Sequence, residues 1–258
     1  MENKNIIENR QTPLERYLAI LEIVAASNRS PNLTELADLM NLPKPTVHRL
    51  AGALEKAGAL ETSGGRQRNF RIGRRMWKML HLGQNPEVVE NYAQLACDRL
   101  TEKIKETSYI VKLGVDGVHT IARSVPDQGY RLHVFPGEEL PAHAAASAKA
   151  IIAHQPPEVV ARILREPLPR LTENTRTNLA EVLEDLRQVR EQGYAICDKE
   201  IDAAIMAYGC PVHLPDAGVI YSVGVTAPGG RMTKQPREYW IGHLQETANY
   251  FADLLQHA

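Results

Sequence analysis

Apolar positions in the first eighty residues fall into short helical stripes separated by turn residues. From Pro13, the residues Leu14, Leu18, Leu21 and Ala25 recur at helical spacing, with Pro13 suited to a first turn. Asn28, Ser30 and Pro31 break the stripe. Residues 34–40 (TELADLM) predict a second helix with Leu36, Leu39 and Met40 inward, closed by the turn Asn41-Leu42-Pro43. Residues 45–57 predict a third, with Val47, Leu50, Ala53 and Leu54 on one face, Pro45 at its start and Gly58 just past its end. Then the period drops to two. Leu60-Glu61, the turn Ser63-Gly64-Gly65 and Asn69-Phe70-Arg71-Ile72 predict a two-stranded ribbon.

Residues 73–83 predict a short helix bearing Trp77 and Leu80, and Pro86 opens a long one to about Thr107. A domain boundary belongs between them, near Gly83–Pro86. Beyond it the runs 109–113 and 118–124 predict a hairpin across Gly114-Val115-Asp116-Gly117, with 130–135 a third strand. An Ala-rich helix at 144–154, helices at 156–165 and 175–192, strands at 193–197, 203–212 and 218–226, and a closing helix at 235–256 complete the pattern. This mixture predicts a frayed segment 1–12, a small helical domain 13–83 and an α+β domain 84–258.

Composition narrows the picture. The 258 residues are 43% hydrophobic and 24% charged, an ordinary globular balance. No apolar run approaches the roughly 18 residues of a membrane span, and MENKNIIENRQTP lacks the apolar region of a secretory signal. Cys97, Cys197 and Cys210 cannot build a disulfide framework, so a reducing cytoplasm is the expected compartment. The net charge of −1 is unevenly spread. Residues 1–80 carry 13 Lys+Arg against 8 Asp+Glu, a net of +5, and residues 81–258 a net of −6. Six basic residues and no acidic ones lie within 62–80. A basic front on an acidic remainder points to a polyanion-binding module joined to something else.

Two short helices around a tight turn, followed by a basic ribbon, suit double-stranded DNA. The third helix can enter a major groove about 12 Å wide while the second braces the backbone. Lys44, Thr46, His48 and Arg49 at its start are the candidates for base edges and phosphates, and Arg49 can pair bidentately with guanine. Arg66 and Arg68 near the ribbon tip suit the minor groove or flanking phosphates. Dimers or tetramers reading paired half-sites are expected, since one such module spans little DNA.

In the larger domain, HAAASAKA (143–150) leaves amides open at a helix start, with Ser147 as a polar handle, which favours an anionic ligand. Gly224, Val225 and Thr226 on the last strand offer a second cluster of small residues. Arg131 and His133 are candidate partners for a carboxylate. A competing reading is a metal- or Cys/His-dependent enzyme acting on a small carboxylate, through Cys210 and His213 with Cys197, His133 and His143. That spacing is weak, and no GxSxG, P-loop or GxGxxG is present. No cofactor and no metal are expected.

LTELADLMNLPKPTVHRLAGALEKAGAL (33–60), the Gly-Gly ribbon and FRIG (70–73) resemble the winged helix-turn-helix of the IclR family of bacterial transcriptional regulators. The segments 137–153, 171–200 and 210–233 resemble that family's effector-binding domain. The resemblance implies an α+β chain, a winged helix-turn-helix followed by a mixed α/β, GAF-like domain. It also implies a DNA-binding regulator rather than an enzyme. Carried over by position, it implies effector contacts at Ala146, Ser147, Cys197, Asp198, Ala207, Gly224 and Thr226. Ala207 stands where the family often shows a cysteine, and Tyr208 and Met206 are its neighbours. The expected effector is therefore a larger, less polar acid than a two-carbon one, an aromatic carboxylate.

Overall fold

A computed structural model describes residues 12–63, 68–127 and 136–256. The chain divides into two compact units, with the division between Gly83 and Gln84.

In the first unit, α1 (Pro13–Ala26), α2 (Leu33–Met40) and α3 (Lys44–Lys56) pack on one another, followed by β1 (Leu60–Ser63), β2 (Asn69–Ile72) and α4 (Arg74–Leu82). Thr12 with Glu15 and Asn32 with Glu35 form capping boxes that start α1 and α2. α2 ends on Asn41 in the left-handed region, φ 51°, and Leu42 N–H donates to Ala37 O at 3.1 Å, which sets the sharp turn into α3. Pro45 lies in the first turn of α3, and Gly58 follows its end at φ 71°. At Gly73 a Cβ would come within 2.3 Å of Gly58 O, so only glycine lets the ribbon return against the helix end.

The core of this unit is Ile20, Val24, Leu36, Val47, Leu50, Ala51, Leu54, Leu60 and Phe70. The stripes read from spacing are corrected at four positions. Leu14 and Leu18 are 66% and 47% exposed, and Leu39 is 64% exposed. Ala53 also faces out, while Ala51 is buried in α3. α1 is apolar on most of its circumference, so spacing alone could not choose its inner side; contact with α2 and α3 selects Ile20 and Val24.

The second unit opens with α5 (Pro86–Ile104), which stops earlier than expected because Lys105 turns left-handed at φ 57°. Then come β3 (Thr107–Leu113), β4 (Val118–Ser124), β5 (Glu139–Leu140), α6 (Ala146–Ile152), α7 (Pro157–Ile163), α8 (Leu179–Gln192), β6 (Ala195–Asp198), β7 (Ile205–Leu214), β8 (Gly218–Pro228), α9 (Gly229–Met232) and α10 (Arg237–Gln256). Among the described residues the sheet runs β5-β4-β3-β8-β7-β6 and every pairing is antiparallel. The strand expected at 130–135 lies outside the described residues. α5 and α10 cover one sheet face; α6, backed by α8, covers the other.

Every residue of α6 is buried, Lys149 included. Its Nζ lies 2.9 Å from Asp185 Oδ2 and 2.8 Å from Glu200 Oε1, and Arg176 lies 3.1 Å from Glu200 Oε2. Two cations against two carboxylates make the burial of these charges tolerable.

Candidate DNA-binding surface and effector site

The buried side of α3 is Val47, Leu50, Ala51 and Leu54. Its far side therefore presents His48, Arg49, Gly52 and Lys56. Lys44, His48 and Arg49 are exposed and Thr46 is half-buried, and the first turn carries no acid. Gly52 and Lys56 are additions that the sequence reading missed. At Gly52 no heavy atom lies within 4 Å of where a Cβ would stand. A mid-helix glycine loses roughly 1 kcal/mol relative to alanine, and nothing inside the protein needs the space. Helical geometry was enough to find both residues.

Arg68 differs from its expected freedom. Its Nη2 donates to Glu55 Oε1 at 3.0 Å and Oε2 at 3.1 Å, and Thr62 Oγ1 donates to Glu55 Oε1 at 2.9 Å. Glu55 thereby ties the last turn of α3 to both sides of the ribbon. Arg71 is paired with Glu61, whose carboxyl is held below its usual range mainly by the Arg74 backbone N–H. Arg66, Arg131 and His133 lie outside the described residues.

In the second unit, strand register gathers most of the expected effector residues. Tyr109 Oη lies 3.5 Å from Ser147 Oγ, so odd-numbered positions of β3 near it face α6. Gly224 is opposite both Tyr109 and Gly209; Thr226 is opposite Thr107 and Ala207; Ala207 is opposite Cys197. Directly opposed residues share a face. Cys197, Ala207, Gly224 and Thr226 thus lie on the α6 side, where Ala146 and Ser147 begin the helix. All are buried.

The two glycines explain how the layers close. A Cβ at Gly209 would come within 2.6 Å of Ser147 N, and one at Gly224 within 2.4 Å of the Tyr109 ring. The start of α6 therefore rests on Gly209 rather than standing open as HAAASAKA suggested. Tyr109, which the sequence reading overlooked, supplies an aromatic ring at the centre of this face. Burial pushes its phenol up to about 12, so it stays neutral.

Asp198 and the pair Met206 and Tyr208 are not part of this group. Asp198 is opposite Met206, and Tyr208 is opposite Ile196, on the other sheet face. There Tyr208 and Tyr194 meet Arg237 at the start of α10. Tyr208 and Met206 therefore lend no support to a larger effector, and Tyr109 is the aromatic residue on the α6 side. The proposed Cys/His set is also dispersed. Cys197 faces α6 whereas Cys210, three residues beyond Ala207, faces away. Burial pushes all three thiols up, Cys210 to about 12. His143 is buried with Nε2 2.9 Å from Pro169 O. Among the described residues no three His, Cys, Asp or Glu side chains are grouped to hold a metal ion, and no helix is long and apolar enough to cross a membrane.

An open groove of about 400 Å³ runs along α8, lined by Arg176, Ala180, Glu181, Glu184, Asp185 and Gln188. Three carboxylates against one guanidinium make it a poor seat for an organic anion.

A helix-turn-helix with a wing, joined to a sheet domain whose small residues converge under one buried helix, defines a DNA-binding transcriptional regulator. The chain belongs to the IclR family: the model of the IclR helix-turn-helix domain matches residues 13–64, and that of the bacterial transcriptional regulator IclR C-terminal domain matches residues 85–252. It is 28% identical to the Pca operon regulatory protein of Acinetobacter baylyi, over 98% of this chain and 93% of the relative. It is also 28% identical to the HTH-type transcriptional regulator BhcR of Paracoccus denitrificans, over 85% of this chain and 78% of the relative. Its fold matches a crystal structure of an IclR homolog complexed with 4-hydroxybenzoate from Microbacterium hydrocarbonoxydans, with TM-score 0.61 and 22% identity, over 96% of this chain and 100% of that one.

Proposed function

We propose that this regulator is controlled by a small aromatic carboxylate bound in residues 84–258, and that residues 13–83 bind a pseudo-palindromic operator as a homodimer or homotetramer in the cytoplasm. The observation that carries the effector reading is the convergence of Ala146, Ser147, Cys197, Ala207, Gly224 and Thr226 around the Tyr109 ring on one buried sheet face. A ring-bearing ligand fits an aromatic and small-residue lining, and the bound 4-hydroxybenzoate of a homolog supports that class. Arg49, His48 and Lys44, exposed on α3, support the operator reading. Self-association is supported by Leu14 and Leu18 on α1 and by Met79 and Leu80 on α4, exposed apolar residues that their own unit does not cover.

Ligand binding acts by favouring one arrangement of the paired DNA-binding units over another, which needs a preference of a few kcal/mol. The test is fluorescence anisotropy on genomic fragments, with and without aromatic acids. Saturable, salt-dependent binding to a defined site, shifted by an aromatic acid and not by acetate, is the expected result. Binding that no carboxylate alters refutes the effector class; absence of any preferred site refutes the operator reading.

A further inference from the structure

The β3–β4 hairpin adds a polar group to the buried face described above. After an extra residue at the irregularity between Ile110 and Val111, Thr120 of β4 stands opposite Val111, and Val111 stands opposite Ser222 of β8. Val111 is two residues from Tyr109, so Thr120 and Ser222 share the α6 side with Tyr109 and Gly224. Thr120 is 1% exposed, and its Oγ1 has no hydrogen-bond partner. Its backbone is fully engaged: Thr120 N–H donates to Glu138 O at 3.1 Å, and Gly137 N–H donates to Thr120 O at 2.7 Å. Ser222 is also completely buried, with Oγ 3.5 Å from Val223 O, the outer limit of a hydrogen bond.

Buried hydroxyls are nearly always paired, because an unpaired one keeps its full desolvation penalty. Valine has the same shape as threonine without that penalty, so packing alone gives no reason for threonine here. A hydroxyl can both donate and accept, and it suits either a carboxylate or a phenol. Diagonal neighbours in a sheet are about 7 Å apart, which places Thr120 and Tyr109 within the span of one substituted benzene ring.

We propose that Thr120 is a specificity-determining ligand contact, its hydroxyl pairing with a polar substituent of an aromatic acid whose ring lies against Tyr109. This rests on the effector reading given above. The test uses the full chain with Thr120→Val and Thr120→Ser. Unfolding temperature is read by calorimetry without ligand, and affinity by titration with 4-hydroxybenzoate, benzoate and phenol. Thr120→Val is expected to unfold no lower than wild type and to bind 4-hydroxybenzoate at least about fivefold more weakly. Thr120→Ser is expected to bind within about threefold of wild type. Benzoate reports whether the carboxylate or the phenol is the partner.

A lowered unfolding temperature in Thr120→Val shows an internal role for the hydroxyl and overturns the proposal; so does an unchanged affinity. If wild type binds neither acid but binds phenol in a Thr120-dependent way, the acid reading falls and the contact stands. Wild type that binds none of the three rings overturns both.

Discussion

The candidate sites of the two units lie on opposite sides of their surfaces. In the first, the proposed DNA contacts are groups the fold leaves outside: Lys44, His48 and Arg49 project from α3 because Val47, Leu50 and Leu54 occupy its other side. In the second, the proposed ligand contacts are groups the fold buries: Tyr109, Ser147, Gly224 and Thr226 lie on the α6 side of the sheet, and Thr120 shares that face. A duplex is too large to enter a protein and must be met by exposed charge. A small acid is recognised by being taken out of water, where each polar contact counts for more.

The sharpest break in this comparison comes from one substitution on each side. Arg49→Ala is expected to cost about 1–3 kcal/mol of operator affinity if the guanidinium reads a base, with thermal stability unchanged; a wild-type footprint and affinity would show that it does not. Gly224→Ala is expected to do the reverse. It forces a Cβ into the Tyr109 ring, destabilising the second unit by about 1–3 kcal/mol in denaturant titration and abolishing the effector response. Adding Tyr109→Ala removes that clash, so the double variant should lose less than the sum of the two single losses.

Smaller effects sharpen the contrast. Gly52→Ala should stabilise α3 by roughly 1 kcal/mol while weakening operator binding, because the new methyl group stands where the helix faces the duplex. A gain in both quantities would show that Gly52 has no part in docking. Glu55→Gln should change stability by less than about 1 kcal/mol, since the pair is largely solvated. Released from Glu55, Arg68 is expected to steepen the salt dependence of DNA binding, and an unchanged slope would place Arg68 away from phosphate.

The smallest effect expected is a pH response in the second unit. His154 is pushed down to about 4, first by burial and then by the charges of His213 and Arg190, and its ring stands edge-on to His213 at 5.1 Å. Burial lowers His213 as well. The unfolded chain therefore takes up a proton near pH 6.5 that the folded chain refuses. The stability present above that pH is lost as pH falls towards about 4. Unfolding temperatures measured from pH 7 to 4 should decline less steeply in His154→Gln than in wild type.

Much of the first unit was legible along the chain. The caps, prolines and Gly58 act within a few residues of themselves, and α2, the turn and α3 appear where TELADLM, Asn41 and Pro45 put them. α1 was harder, because a helix that is apolar nearly all round does not announce its inner side. In the second unit the expected strands and helices that fall within the described residues also emerged near their places. β5 and α9 were missed, being two and four residues long, too short to show a period. Of the expected effector set, Asp198 stands apart by one residue: in a strand a single step changes the face. Tyr109 and Thr120 went unnoticed because nothing nearby in the chain marks them; strand register puts them on one face with Gly224 and Ser222, about a hundred positions away.

Local preference and charge were therefore enough to announce a basic helix-turn-helix ahead of an acidic α+β domain, since capping, turn formation and net charge depend on neighbours in the chain. Which hydroxyl lies unpaired, which tyrosine fills the gap over a glycine and which cation is tied down by Glu55 came only from the packed molecule. Those facts depend on strand register and on layers meeting in space, and register couples residues that the chain itself keeps far apart.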